Sequence, residues 1–226
     1  MANVTHWIDS FPESFKYSNA TLVCKGLAPY GAVAIGEIDA VTDRIAARGD
    51  APNAWVEEWC ALAEKPEAEA NAAAAAGHAH TAGHLFLRAG FYYYTGERFL
   101  PPGEEKRRHY MRSLRCCQEG LRRRYPEIAF VEVPYEGTTL PAYFLQAQGA
   151  SGAAPTVVVF DGMDNCKEMS ILFCGLEFSR RGMNVLSIDG PGQGEALRAR
   201  GIHSRYDYEV PGTAAYEYIA GRAEVD

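Results

Sequence analysis

Residues 156–160 read TVVVF, a run of β-branched side chains that ends in an aromatic residue. Such a run is typical of a strand that is buried on both faces of a parallel sheet. The next segment, 167–182, has the spacing of an amphipathic helix with a glycine stop, and MNVLSID at 183–189 predicts a second buried strand. Residues 207–222 predict the start of a further helix. This alternation of strands and helices indicates a parallel α/β sheet.

Upstream of these strands, IAFVEVPYEG (128–137) and TTLPAYFLQA (138–147) predict a β-hairpin joined at Glu136 and Gly137. Residues before about 125 are predicted to be almost entirely helical. This change from a helical pattern to strands predicts two domains, a helical domain over 1–125 and an α/β domain over 126–226.

Several features mark the predicted helices of the first domain. A helix over 32–48 is expected to stop at Gly49, and a second helix starts near Asn53 and is interrupted at Pro66. A long helical stretch over 67–99 follows, in which three glycines are expected to permit close helix approach: Gly77, Gly83 and Gly90. A last helix is predicted from about Glu104 to Arg124.

Composition limits the classes of function. The 226 residues are 47% hydrophobic and carry a net charge of −7, which indicates a globular protein without the basic footprint of a nucleic-acid binder. The basic run at 104–125 is interpreted as a solvated helix face. Without a signal-like N-terminus or an apolar span of ~18 residues, the sequence predicts a soluble, cytoplasmic protein with no membrane partner. The six cysteines lack C-x-x-C spacing and are expected to be reduced thiols.

Three glycines follow the second buried strand in GPGQGE, residues 190–195. The loop includes a proline, which has no N–H, and ends in Glu195, whose charge would repel a phosphate. It also misses the G-x-G-x-x-G spacing. A sharp turn at the carboxyl edge of the sheet is therefore favoured over a nucleotide site, and no cofactor is predicted.

A second loop, FDGMDNCKE at 160–168, follows the first buried strand and reaches the same edge. In acyl-transfer enzymes of the α/β-hydrolase kind, the loop after the third strand supplies one backbone N–H to the oxyanion hole. Gly162 would allow close approach of a substrate, and the amide of Met163 is the expected donor. An ordinary strand-to-helix turn with Asp164 or Asn165 as N-cap explains the loop equally well.

Four segments taken together carry a family resemblance: GHAHTAGHLFLRAGFYYY, VEVPYEGTTLPAYF, VVVFDGMDNCKE and RGMNVLSIDGPGQGE. In this order they resemble the FrsA-like group of α/β-hydrolases, which includes dihydropseudooxynicotine hydrolase and fungal polyketide-shortening hydrolases. The resemblance covers about residues 67–222. It implies an α/β-hydrolase core preceded by an all-helical N-terminal cap domain. It further implies a serine nucleophile with Asp and His partners that cleaves esters, or carbon–carbon bonds next to a ketone, in a small-molecule substrate.

The nucleophile of that group lies in a G-x-S-x-G elbow after the fifth strand, and no serine of the 226 residues has this context. We therefore expect strands one to four only, a chain inactive on its own, and the triad in a later segment or a complementing C-terminal chain. TVVVF would then be an exposed sheet edge. A homo-oligomer is compatible with the same pattern. The alternative is a non-catalytic helical binding or regulatory protein that retains half of a hydrolase domain.

The helical segment contains candidate substrate-binding residues. His84, Arg88, Tyr92 and Tyr93 could orient an aromatic or polyketide-like substrate from the cap, although packing within the core explains the tyrosines as well. The nearby His78, His80 and His84 lack a carboxylate or cysteine to complete a ligand set, so no metal site is predicted.

Overall fold

The computed structural model describes residues 7–49, 51–162 and 164–226, which form two compact units. The first unit extends to Arg124 and the second starts at Tyr125. Among the described residues, the first unit forms helices α1 (Phe15–Lys25), α2 (Ile35–Ala47), α3 (Ala54–Ala75), α4 (Ala79–Glu97) and α5 (Glu104–Arg124), with a short 3-10 turn at Ala28–Tyr30.

The break between α3 and α4 differs from the prediction. Helix α3 runs through Pro66, and the chain turns at Gly77, which has a left-handed φ of 79°. A proline inside a helix removes one hydrogen bond, but Pro66 is buried between Ala63 and Ala70 on the packed side of α3. The packing of that face keeps the helix continuous, and Gly77 is a turn residue rather than a contact between helices.

Helices α4 and α5 approach closely at Gly90, as predicted for that residue. A Cβ atom placed on Gly90 would lie 2.8 Å from the backbone nitrogen of Cys117 and would also meet the Cys117 sulfur. Real Cβ atoms do not come this near to backbone atoms, so only glycine allows this spacing of the two helices.

Replacing Gly90 by alanine is expected to lower the free energy of unfolding by about 1–3 kcal/mol, because the added methyl group overpacks the contact. Gly36 in α2 is a matched control, since its Cβ would meet no atom within 4 Å. There, alanine is expected to stabilise the helix by about 1 kcal/mol. Urea unfolding of both variants tests the pair. Equal shifts of the midpoint in the same direction would contradict the packing argument.

The second unit is built on a four-stranded mixed sheet. Its described elements are β1 (Ala129–Tyr135), β2 (Thr138–Leu145), β3 (Thr156–Phe160), α6 (Lys167–Ser170), a π-helical turn (Ile171–Gly175), α7 (Leu176–Arg180), β4 (Asn184–Ile188), α8 (Gly194–Arg198) and α9 (Glu209–Ala220). The single helix predicted over 167–182 is thus interrupted by the π-helical turn.

The strand order is β1-β2-β4-β3. Strands β1 and β2 form the predicted antiparallel hairpin, with Glu136 and Gly137 both at positive φ, 42° and 80°, as a tight hairpin turn requires. Strand β4 pairs antiparallel with β2 and parallel with β3. The core on one face of the sheet includes Leu140, Phe144 and Leu186, which are fully or almost fully buried.

Strand β3 lies at one edge of the sheet, and each of its residues is only partly buried. The predicted edge position of TVVVF is therefore confirmed, but its residues are half-buried rather than buried on both faces or exposed. Just before β3, Ala154 forms an isolated parallel bridge with Val225, and the Asp226 N–H donates to the Ala154 carbonyl oxygen at 3.1 Å. In the part of the chain that the structure describes, no helix combines the length and apolarity needed to cross a membrane.

Candidate active site

The loops that follow β3 and β4 meet at the carboxyl edge of the two parallel strands, where α/β folds place their ligands. The first loop covers Asp161–Cys166 and the second Asp189–Gln193. Gly162 is exposed, and a Cβ atom there would meet nothing within 4 Å. Met163, the expected oxyanion donor, lies outside the described residues.

The N-cap of α6 differs from the alternative considered for this loop. Cys166 occupies the cap position with extended backbone angles, and its side chain makes no capping hydrogen bond. Neither Asp164 nor Asn165 is the cap. The backbone N–H of Lys167 at the start of α6 is instead satisfied by the Asp189 Oδ1 atom at 2.7 Å.

The glycine loop after β4 is a folded turn in which the N–H groups of residues 190, 192, 193 and 195 already donate hydrogen bonds within the protein. The Gly190 N–H donates to Gln193 Oε1 at 2.8 Å, the Gly192 N–H to the Ile202 carbonyl at 2.9 Å, and the Glu195 N–H to Asp189 Oδ2 at 2.7 Å. A phosphate-cradling loop needs such groups free. The turn interpretation is thus the better one, and a Cβ at Gly192 would lie 2.6 Å from that of Ser204.

A buried lysine connects the two loops. The Nζ atom of Lys167, whose side chain is 1% exposed, lies 2.8 Å from Glu168 Oε1, 3.1 Å from Asp189 Oδ2 and 2.7 Å from Glu195 Oε2. We call these four residues the Lys167 cluster. A buried ammonium is tolerated only when it is paired and hydrogen-bonded, so the cluster holds the start of α6, the end of β4 and α8 in fixed positions.

Further contacts extend the cluster outward. Glu195 pairs with Arg200 at 2.7 Å, and Arg200 pairs with Glu132 on β1 at 2.6 Å. The Tyr143 hydroxyl of β2 donates to Glu168 Oε1 at 2.6 Å. Together these contacts fix the carboxyl edge from three neighbouring strands.

The carboxyl groups of this region titrate differently. Burial is the largest single influence on Glu168 and opposes its charge, but the charge and hydrogen bond of Lys167, together with the hydrogen bonds from Tyr143 and the backbone, hold the pKa of Glu168 below its ordinary value. Burial, then the charges of Asp189 and Glu168, raises the pKa of Asp161 to about 9. A carboxyl pKa that is raised so far by burial and by neighbouring charges is the kind of perturbation that marks functional sites.

The sequence patterns did not identify Asp189, Lys167 or Glu168 as site residues. A usable signal was present, because Asp189 directly follows a buried strand and Lys167 directly follows a loop at the same edge. A charged residue in such a place needs a buried partner of opposite charge.

Three of the four residues predicted in the cap lie together. His84, Arg88 and Tyr92 are spaced by four along α4, so they share one helical face. The Arg88 guanidinium pairs with Glu37 on α2, and the Tyr92 hydroxyl donates to the same carboxylate at 2.7 Å. Burial, followed by the charges of Arg124 and Arg88, lowers the pKa of His84.

Tyr93 lies on a different face of α4. Its hydroxyl donates to Glu67 Oε2 at 2.6 Å, and Arg112 contacts the same carboxylate at 2.8 Å. The side chains of Tyr92 and Tyr93 are both 0% exposed, whereas His84 and Arg88 are partly exposed. Among the described residues, no group of three or more His, Cys, Asp or Glu side chains is arranged to hold a metal ion.

Comparison with known proteins gives a consistent picture, although no family model matches the chain. The chain is 32% identical over 218 residues to a hydrolase, LUC6, of a Fusarium species, with 93% of this chain and 51% of that protein covered. It is 28% identical over 215 residues to the α/β-hydrolase xenA of Xenoacremonium sinensis, covering 93% and 50%. It is 30% identical over 168 residues to 2,6-dihydropseudooxynicotine hydrolase of Paenarthrobacter nicotinovorans, covering 74% and 45%.

Solved structures agree on the fold. A crystal structure of 2,6-dihydroxy-pseudo-oxynicotine hydrolase superposes with a TM-score of 0.70 at 24% identity, covering 89% of this chain and 55% of that one. The chain spans about half the length of the curated relatives it matches. The predicted fold class, a partial α/β-hydrolase core preceded by a helical domain, and the predicted resemblance to the α/β-hydrolases are thereby confirmed.

Proposed function

We propose that this chain provides the cap and the first part of the catalytic domain of a serine hydrolase. Its substrate would be a small organic molecule with an ester, or with a carbon–carbon bond next to a ketone. The observation that carries the proposal is the pair of loops at the carboxyl edge of β3 and β4, in a chain whose relatives are named hydrolases.

In this proposal the loop that contains the exposed Gly162 contributes one backbone N–H to the oxyanion hole, and the amide of Met163 is the expected donor. Its task is to stabilise the negative charge that develops on the carbonyl oxygen when the nucleophile attacks. The Lys167 cluster supports the proposal, because a preformed hole needs a loop whose neighbours do not move during the reaction.

Within the cap, we assign the contacts with substrate to His84 and Arg88, because their side chains are partly exposed. Tyr92 would act through Glu37, which it shares with Arg88, and Tyr93 would stabilise the cap through Glu67. In this division of roles the two buried tyrosines hold the cap together, and the histidine and arginine contact substrate.

The nucleophile, acid and base are proposed to come from residues outside these 226, either further along the same polypeptide or in a complementing chain. The 226 residues alone are then expected to show no labelling by a fluorophosphonate probe, which reacts with activated serines. Labelling of a serine within this chain would overturn this part of the proposal.

The coding sequence after the Asp226 codon gives the complementary test. We expect a G-x-S-x-G elbow there, followed by Asp and His codons. The joined protein should then react with the probe and hydrolyse ester or β-diketone substrates. If the downstream sequence contains no such elbow and the joined protein is not labelled by the probe, a non-catalytic binding role replaces the hydrolase.

A further inference from the structure

Asp161 occupies the point where β3 ends and the predicted oxyanion loop begins. Its side chain is almost fully buried, at 9% exposure for the residue, and its Oδ1 atom accepts a hydrogen bond from the Ser170 hydroxyl on α6. Its backbone carbonyl accepts a hydrogen bond from the side-chain amide of Gln193 in the glycine loop. Asp161 is thus joined to α6 and to the second loop at once.

The other carboxyl oxygen of Asp161, Oδ2, is buried and receives no hydrogen bond from a donor among the described residues. Asp161 and Asp189 directly follow Phe160 and Ile188, which are partners in the parallel pairing of β3 and β4, so the two carboxyl-bearing residues lie side by side at the edge of the sheet. Two ionised carboxylates in a buried contact repel each other, and a single proton between them turns the repulsion into a hydrogen bond.

The hydrogen bonds around Asp189 decide which partner holds the proton. Asp189 already accepts from the Lys167 N–H at 2.7 Å, from the Glu195 N–H at 2.7 Å and from Lys167 Nζ at 3.1 Å. Burial raises the pKa of Asp189, but these three donors favour its ionised form, whereas the carboxyl group of Asp161 accepts a hydrogen bond only from Ser170 among the described residues. The proton therefore belongs on Asp161.

The charge balance leads to the same assignment. The Lys167 ammonium faces three carboxylates, and the charge of Glu195 is shared with Arg200. A fourth buried carboxylate would have no cation. Two further titratable groups near Asp161, Tyr208 at the start of α9 and the thiol of Cys174 in the π-helical turn, add no positive charge.

We propose that Asp161 is a positioning residue for the predicted oxyanion loop, acting as a neutral carboxylic acid that donates a hydrogen bond to the Asp189 carboxylate. The importance of this contact for catalysis rests on the proposed function, but the contact itself does not. It holds the first residue of one loop to the first residue of the other, and so sets the position from which the next amides, at Gly162 and Met163, extend.

The test is the pH dependence of stability in the wild type and in Asp161→Asn, whose amide can donate to Asp189 and accept from Ser170 without titrating. Between about pH 4 and about pH 9 the folded wild type holds a proton that the unfolded chain has lost. The wild type should therefore lose stability relative to D161N as the pH rises. The ratio of their unfolding constants should change by up to tenfold per pH unit and level off above about pH 9.

Two controls make the result specific. Asp164→Asn, an exposed position in the same loop, should keep the pH dependence of the wild type. Hydrogen exchange at pH 7 should show unchanged protection at 161–166 and 189–195 in D161N, and lost protection in Asp161→Ala. Parallel stability curves for D161N and the wild type, or equal protection in D161N and D161A, would overturn the proposal.

A measurement on the wild type alone covers the case in which the variants fail to fold. Carbon-13 NMR of labelled aspartate carboxyl groups should show one that stays protonated at pH 7. A spectrum in which every aspartate is ionised by pH 6 would also overturn the proposal. None of these experiments uses a substrate. Failure of the hydrolase assays would therefore leave this inference intact, and failure of this inference would leave the proposed hydrolase function intact.

Discussion

Replacing Lys167 by methionine is expected to lower the free energy of unfolding by about 3–5 kcal/mol, the range observed when one partner of a buried ion pair is removed. Methionine keeps most of the length of the side chain but removes the ammonium. Among the described residues, Glu168 and Asp189 are then left buried without a paired cation, since Lys167 contacts both and Arg200 pairs with Glu195 alone of the three carboxylates in the cluster. Thermal or urea unfolding at pH 7 measures the loss.

The pH dependence of this loss is a second, independent result. Lys167 holds the pKa of Glu168 below its ordinary value, so Glu168 contributes stability in the wild type that is lost as the pH falls through that value. In Lys167→Met the carboxyl groups can relieve their repulsion by protonation. We therefore expect the difference between wild type and variant to shrink from pH 7 toward pH 4.

A rescue variant separates charge from packing. Adding Asp189→Asn to Lys167→Met removes one uncompensated charge and should recover part of the lost stability, so the two substitutions are not additive. Exposed Lys16 serves as a control position, where methionine should change stability by less than about 0.5 kcal/mol. Simple additivity of K167M and D189N would show that the cluster is not held by its charges.

The Lys167 cluster also shows where prediction from sequence ends. The buried strands and the hairpin turn at Glu136 and Gly137 were predicted because their signals lie within a few residues of each other. The contacts of Lys167 with Asp189 and Glu195 join residues 22 and 28 positions apart. They exist only once β3 and β4 are paired, and no local pattern contains that pairing.

Helix α4 of the helical domain contains features that could be predicted from sequence and contacts that could not. The shared face of His84, Arg88 and Tyr92 follows from helical periodicity, and the same periodicity places Tyr93 about 100° away from Tyr92. The partners Glu37 and Glu67 could not be predicted, since they come from other helices. The break expected at Pro66 was wrong because the packing of α3, which is not a local property, outweighs the lost hydrogen bond.

The second large effect is expected in the helical unit, at Lys106. Its Nζ atom lies 2.6 Å from Glu97 Oε2 and donates to the backbone carbonyls of Glu97 and Arg98 at 2.9 and 3.0 Å. Glu97 is 0% exposed at the end of α4, so this lysine of α5 neutralises a buried carboxylate. It also adds a donor for the Arg98 carbonyl and a second donor for the Glu97 carbonyl, which already accepts from the Leu100 N–H at 3.0 Å. Lys106→Met should lower the free energy of unfolding by about 3–5 kcal/mol.

The neighbouring Arg107→Met is the matched control, because Arg107 is exposed on the same turn of α5 and its loss should cost less than about 0.5 kcal/mol. Adding Glu97→Gln to Lys106→Met tests the cause. Glutamine has nearly the same shape and no charge, so the double variant should regain the part of the loss that comes from the buried charge. The part that comes from the lost hydrogen bonds of Lys106 to the two backbone carbonyls should remain. If K106M and R107M shift the unfolding midpoint equally, the ion pair contributes no more than any surface charge, and the buried position of Glu97 would need a different explanation.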